Sequence, residues 1–219
     1  MAGWGEFAAA MILFLGSHAM TARPALKVSL VARLGQRGFT LAYSVLSLAL
    51  LGWVIVAAGR APFVALWMPV PWQGWAALGL MLVASVLASQ ALAGVNPLSF
   101  GSRAAPFDPE HPGIAGLSRH PLLLALALWA LAHLLANGDL AHLLLFGPMG
   151  AFALAGMAVI DVRKRRTMPD WSALARNAPL IGWPRGGLPL WPTLAGVALW
   201  GAMILLHPVV IGPDPLAGL

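Results

Sequence analysis

Six long apolar runs, separated by short polar or Pro/Gly-rich stretches, set the pattern of the chain. The first covers residues 4–22 and stops at Thr21 and Arg23-Pro24. The second runs from Phe39 to Gly59 and the third from Trp75 to Gly94. The fourth begins at Pro121, a residue tolerated in the first turn of a helix, and ends near Asn137-Gly138. The fifth runs from about Leu140 to Ile160 and the sixth from about Leu190 to Ile211. A helix needs roughly 20 apolar residues to cross a hydrocarbon core about 30 Å thick. The pattern therefore predicts an all-α polytopic membrane helix bundle of about six transmembrane helices. The N-terminal run lacks the basic start and small-residue cleavage site of a secretory signal, so it is read as a retained helix. Asn137-Gly138-Asp139 is a strong turn signal that makes the fourth and fifth helices an antiparallel hairpin. The loop 95–119 is rich in Pro, Gly and Ser and carries Asp108 and Glu110. The loop 161–189 carries Arg163-Lys164-Arg165-Arg166, and its segment 170–177 suits a short helix on the membrane surface.

Composition agrees with lipid as the solvent. Of 219 residues 60% are hydrophobic and 9% charged, whereas a soluble domain is about 25% charged and would aggregate with this much apolar surface. Cysteine is absent, which removes disulfides, thiolate metal sites and cysteine nucleophiles. A net charge of +6 invites an anionic partner, and the placement of the charge decides which. With six spans, Arg60 is the one basic residue of 13 that falls on its side of the membrane. Basic loops mark the cytoplasmic face, so both termini are expected outside the cytoplasm. The charge then serves orientation and lipid headgroups, with no nucleic acid as partner. Trp4, Trp53, Trp67, Trp72, Trp75, Trp171, Trp183 and Trp191 stand at span ends as interface anchors.

Ionisable residues inside spans are expensive and often functional. Glu6 lies near the outer start of the first helix and reads as interfacial. His18 lies about 6 Å from the cytoplasmic end of that helix at 1.5 Å per residue. It reads either as an interfacial histidine bonded to a nearby carbonyl or as a metal or haem ligand. His120, between Arg119 and Pro121, reads either as a solvated helix start or as a second imidazole at the depth of His18. Two imidazoles from separate helices can clamp one flat cofactor, and Arg119 is then placed for an anionic group such as a haem propionate. His133 is about 20 Å deeper than His120 and roughly 140° away around the helix, so those two cannot share a metal. His133, Asn137 and His142 are expected to form a structural polar cluster closing the hairpin. His111 and His207, beside prolines, read as structural. No Walker loop, HExxH or dinucleotide fingerprint is present, and no serine triad is identifiable.

Three segments carry a family resemblance: FLGSHAMTARPAL (14–26) with VARLGQRGFTLAYSVLSL (31–48), SRHPLLLALALWALAHLLANGDLAHLLLFG (118–147), and IDVRKR (160–165). Together they resemble the NnrU family of bacterial membrane proteins over roughly residues 5–166, with a less clear match from 167 onward. Residues 1–166 are thus expected as an NnrU-like transmembrane domain, and 167–219 as a cytoplasmic or interfacial loop plus the last helix of the same bundle. The resemblance implies a link to denitrification and nitric oxide metabolism, and a relationship to zeta-carotene isomerase, a membrane enzyme with haem b. By motif position it implies His18 in LGSHA and His120 in SRHP as haem iron ligands, with Arg119 beside them and an apolar polyene as one substrate class. The isomerase is thought to exchange in a cysteine ligand, which this chain lacks, so isomerase chemistry is put in doubt while bis-histidine haem is not. Two other readings follow from the same motifs. One is a non-catalytic membrane accessory factor. The other is an S-adenosylmethionine-dependent membrane methyltransferase, since Arg119-His120-Pro121 resembles the RHPxY segment of such enzymes. Leu123 replaces the tyrosine of that segment, and no glutamate follows Glu110.

Overall fold

The computed structural model describes residues 2–21, 24–103, 105–183, 187–217 and 219. The order is α1 (Ala2–Thr21), α2 (Pro24–Arg60), α3 (Pro71–Ala93), a 3-10 turn at Gly113–Gly116, α4 (Pro121–Ala136), α5 (Leu140–Thr167), a one-turn α6 (Trp171–Leu174) and α7 (Leu190–Val210). No strand occurs among the described residues; two isolated bridges join Ala65 to Asp139 and Val95 to Arg103.

Each expected apolar run is helical, and four differences have physical causes. Helix α2 begins at Pro24, so Lys27, Arg33 and Arg37 lie on a helix where a loop was expected. Leu26, Leu30 and Leu34 recur every fourth residue, which gives residues 24–34 an apolar stripe of helical period. Gly35, at φ 69 and ψ 163, breaks α2 into two sections. Helix α3 starts four residues early at Pro71, where the ring suits a first turn and Gln73 Oε1 accepts the Val70 N–H at 2.8 Å. Helix α5 runs on to Thr167, and its last turn holds Lys164, Arg165 and Arg166, where the helix dipole favours cations. Arg23 and Arg185, two of the basic residues assigned to the cytoplasmic side, lie outside the described residues.

Among the described residues four helices are long and apolar enough to cross a membrane: Ala25–Arg60, Pro71–Ala93, Leu140–Thr167 and Leu190–Val210. Helix α4 is apolar but shorter, about 24 Å at 1.5 Å per residue. Helix α1 is diluted by Glu6, Ser17 and His18 and is not among the four. The exposed apolar surface is extensive. On α7, Leu190, Trp191, Leu205 and Val209 are 70% to 82% exposed. Such faces are stable against lipid and not against water.

The chain divides into two compact units, residues 1–66 with 139–145 and residues 67–138 with 146–219. In the first, α1 packs on α2. Gly3 allows the close approach, since a Cβ there would sit 2.4 Å from the Arg60 carbonyl oxygen. Glu6 accepts from Trp53 Nε1 at 3.2 Å and from Arg60 at 3.3 Å. In the second, α3 packs on both α4 and α7. Ala84, Leu87, Ile114 and Ala125 form one buried cluster; Leu123, Ala153 and Met157 form another. Gly196 lets α7 lie against α3, where a Cβ would meet Val86 Cα at 2.6 Å. The buried Gln90 amide then ties α3 to Pro189 O at 2.9 Å and Thr193 Oγ1 at 2.8 Å.

Candidate functional site

The segment Ser118-Arg119-His120-Pro121 is fixed before any chemistry is considered. Ser118 Oγ donates to Leu180 O at 2.8 Å and accepts the His120 N–H at 3.1 Å. Asn96 Nδ2 donates to Arg119 O at 3.0 Å, and the Arg119 N–H donates to Pro179 O at 2.9 Å. Pro121 then opens α4, and the first helical bond runs from Leu124 N to His120 O.

This framework aims two side chains at Asp161, one turn before the basic end of α5. Arg119 Nε lies 2.9 Å from both Asp161 oxygens, with Nη2 also on Oδ2 and Nη1 3.2 Å from Ala178 O. His120 Nε2 lies 2.9 Å from Asp161 Oδ1, and its Nδ1 lies 3.0 Å from Ser99 Oγ. The imidazole is fully buried; the side chains of Arg119 and Asp161 are 14% and 10% exposed. Protons can be assigned from the partners. Asp161 is held as a carboxylate by the bidentate guanidinium, so His120 Nε2 must donate to it. Burial pushes the His120 imidazole below its ordinary pKa, outweighing the opposing pull of Asp161. In the neutral ring Nδ1 therefore accepts the Ser99 hydroxyl. A serine beside a histidine beside an aspartate is suggestive, but the ring is turned the other way from a hydrolytic triad, in which Nε2 faces the serine. Ser99 is itself buried. The arrangement is an anchored ion pair with a histidine spacer.

The other histidines differ in one respect. His18 Nδ1 lies 2.9 Å from Phe14 O, His133 Nδ1 2.8 Å from Trp129 O, and His207 Nδ1 2.7 Å from Pro213 O. A carbonyl can only accept, so in each neutral ring the proton sits on Nδ1 and the lone pair on Nε2. That is the tautomer, held by a backbone carbonyl, in which histidines ligate metals. The His18 ring packs on Phe14 at 4.6 Å and Tyr43 at 5.8 Å. Beside it in the first unit is a cleft of about 170 Å³, lined by Ser17, Leu30, Phe39, Tyr43 and Leu46 with Lys27 at its side. His133 packs on Phe146 at 4.5 Å and lies 6.5 Å from the His207 ring. Asn137 Nδ2 donates to His133 O at 2.8 Å. His142 pairs with Asp139, Nδ1 to Oδ2, at 2.6 Å within the first unit. His111 pairs with Asp108 at 2.7 Å on an exposed loop, where the bond raises the histidine and lowers the carboxyl from their usual values.

The haem assignment meets a chemical test at each expected ligand. At His18 the Nδ1–H is held by Phe14 O, and an apolar cleft of about 170 Å³ lies alongside. His120 does not fit an axial ligand as arranged: iron at Nε2 would displace Asp161, and iron at Nδ1 would displace Ser99. Arg119, expected beside a propionate, forms an ion pair with Asp161. Among the described residues no three His, Asp or Glu side chains converge as a metal-binding group. Asp161 is the participant the sequence reading missed, having placed it as the first residue of a loop. Its signal was available: a carboxylate at the end of an apolar span requires a cation.

The chain matches no curated protein and no solved structure. A family model described as NnrU protein matches residues 6–215, so the match extends through the C-terminal helix, where the motifs were less clear. The chain belongs to the NnrU family.

Proposed function

We propose that this chain is a multi-pass protein of the bacterial inner membrane that binds haem b with His18 as an axial ligand. What supports the reading is the His18 ring, its Nδ1–H on Phe14 O in the tautomer that histidine metal ligands use, next to an apolar cleft lined in part by Lys27. Haem would supply one-electron or gas-binding chemistry. That chemistry suits a role in nitrogen-oxide metabolism or in isomerising an apolar polyene. Lys27 is the cation available to a propionate in this unit's cleft. His120 serves as a positioning residue for Asp161.

Protein purified with adequate haem supply should show a Soret band at about one haem per chain. His18→Ala should abolish that band or convert it to a high-spin form. His120→Ala should lower thermal stability while the surviving protein keeps its haem. Well-folded protein without haem under these conditions would sink the cofactor and favour a membrane accessory factor.

Orientation is part of the same proposal: six helices cross the bilayer and both termini are periplasmic. Alkaline phosphatase, active only outside the cytoplasm, should be active when fused after Gly138 and inactive after Arg166. The reverse pattern, or activity at both sites, contradicts this topology.

A further inference from the structure

A second cleft, in the second unit, has a different chemistry. It encloses about 420 Å³ between the turn 116–119 and the segment 175–183, and Arg119, Arg176, Asn177 and Trp183 line it. Its walls are tied together. Gly182 N donates to Leu117 O at 2.8 Å, Ser118 Oγ to Leu180 O at 2.8 Å, and Arg119 N to Pro179 O at 2.9 Å. This bracing presents Ile181 and Trp183 outward, 65% and 87% exposed. A braced loop that offers an isoleucine and a tryptophan to its surroundings suits a membrane interface, where such side chains meet acyl chains at headgroup level.

The electrostatics point the same way. Residues 103–119 and 161–183 carry seven basic side chains against four acidic ones (Asp108, Glu110, Asp161 and Asp170). Arg165 lies over the Trp171 ring at 4.4 Å and Arg119 at 5.7 Å. Arg119 gives Asp161 its Nε and one Nη2 hydrogen, and Ala178 O one Nη1 hydrogen. Of its five N–H groups, one on each terminal nitrogen has no partner among the described residues. Arg176 gives Glu110 only an Nη2 hydrogen and is 61% exposed. Two guanidiniums with spare donors, a polar cleft and an adjoining apolar edge together match a phosphodiester attached to acyl chains.

We propose that this cleft binds the headgroup of an anionic phospholipid, with the phosphate against Arg119 and Arg176 and an acyl chain along Ile181 and Trp183. A zwitterionic lipid is the poorer ligand because its ammonium group would face the same guanidiniums. The site is independent of haem.

Native mass spectrometry of the detergent-purified full chain, titrated with dioctanoyl phosphatidylglycerol or dioctanoyl phosphatidylcholine, tests this. The anionic lipid should bind about tenfold tighter. Arg176→Gln, at an exposed side chain, should weaken it about tenfold, the usual scale for one charge-assisted hydrogen bond. Arg166→Gln, a basic residue outside the cleft, should change it by less than about twofold. Inorganic phosphate at millimolar concentration should leave the lipid bound. Equal binding of the two lipids overturns the proposal, as does equal loss in both variants, which would indicate a general basic surface. Complete displacement by phosphate would make the cleft a site for a soluble anion. If Arg176→Gln fails to fold, Trp183→Ser decides in its place: weakened phosphatidylglycerol binding supports the site, and unchanged binding overturns it.

Discussion

Asp161→Ala should lose about 3–5 kcal/mol of stability, the range for removing one partner of a buried ion pair. The substitution strands Arg119 in a pocket where its side chain is 14% exposed and removes the acceptor of His120 Nε2–H. Asp161→Leu combined with Arg119→Met should recover part of the loss, because a matched apolar pair replaces a matched charged one at little net cost, while the His120 Nε2–H still lacks its acceptor. Thermal unfolding followed by fluorescence-detected size exclusion reads both variants. A melting point for Asp161→Ala within a degree or two of the parent would show that the ion pair carries little, and the double variant would then have nothing to rescue.

Gly138→Ala should cost about 3 kcal/mol, the upper range for overpacking, although it adds a single methyl group. A Cβ at this position would lie 2.0 Å from the Trp67 carbonyl oxygen and 3.1 Å from Pro69 Cδ. The obstacle is backbone, which cannot turn aside as a side chain would. At the same contact the Trp67 N–H donates to Gly138 O at 3.1 Å, so relief of the clash would break a hydrogen bond. Gly79→Ala, where nothing lies within 4 Å, is the matching control and should be neutral or slightly stabilising, since alanine is the better helix former. Equal melting points for the two variants would mean that residues 67–69 yield easily.

The helices were legible because their signal is summed over many residues. No single substitution in the run 140–160 would hide α5. Turn and start signals at Asn137-Gly138 and Pro121 likewise act through local backbone chemistry, and both boundaries match to a residue. The extra helical section at 24–34 escaped because Lys27, Arg33 and Arg37 read as loop charges, while Leu26, Leu30 and Leu34 carry the period. The site was half legible. Arg119 and His120 were singled out by their motif, but their partner depends on a contact between residues 42 positions apart. Periodicity says nothing about such a contact. The tautomers of His18 and His133 rest on carbonyls four residues back, a local feature that helical spacing allows without requiring.

The break at Gly35 sets a length. Unbroken, the 37 residues of α2 would make a rod about 55 Å long, nearly twice the hydrocarbon thickness of about 30 Å. A residue at φ 69 and ψ 163 is essentially restricted to glycine, so the break is written into the chain and cannot drift along it. The section after it, residues 36–60, is about 37 Å long and can accommodate a thinner or thicker bilayer by tilting. The section before it carries Lys27 and Arg33, side chains that favour the water boundary. Both sections line the cleft near His18, through Leu26, Leu30 and Leu34 on one side and Phe39, Tyr43 and Leu46 on the other. A tilt of the second section that is absorbed at Gly35 would change the angle between the two walls of the cleft, so bilayer thickness would be a physical variable acting on it.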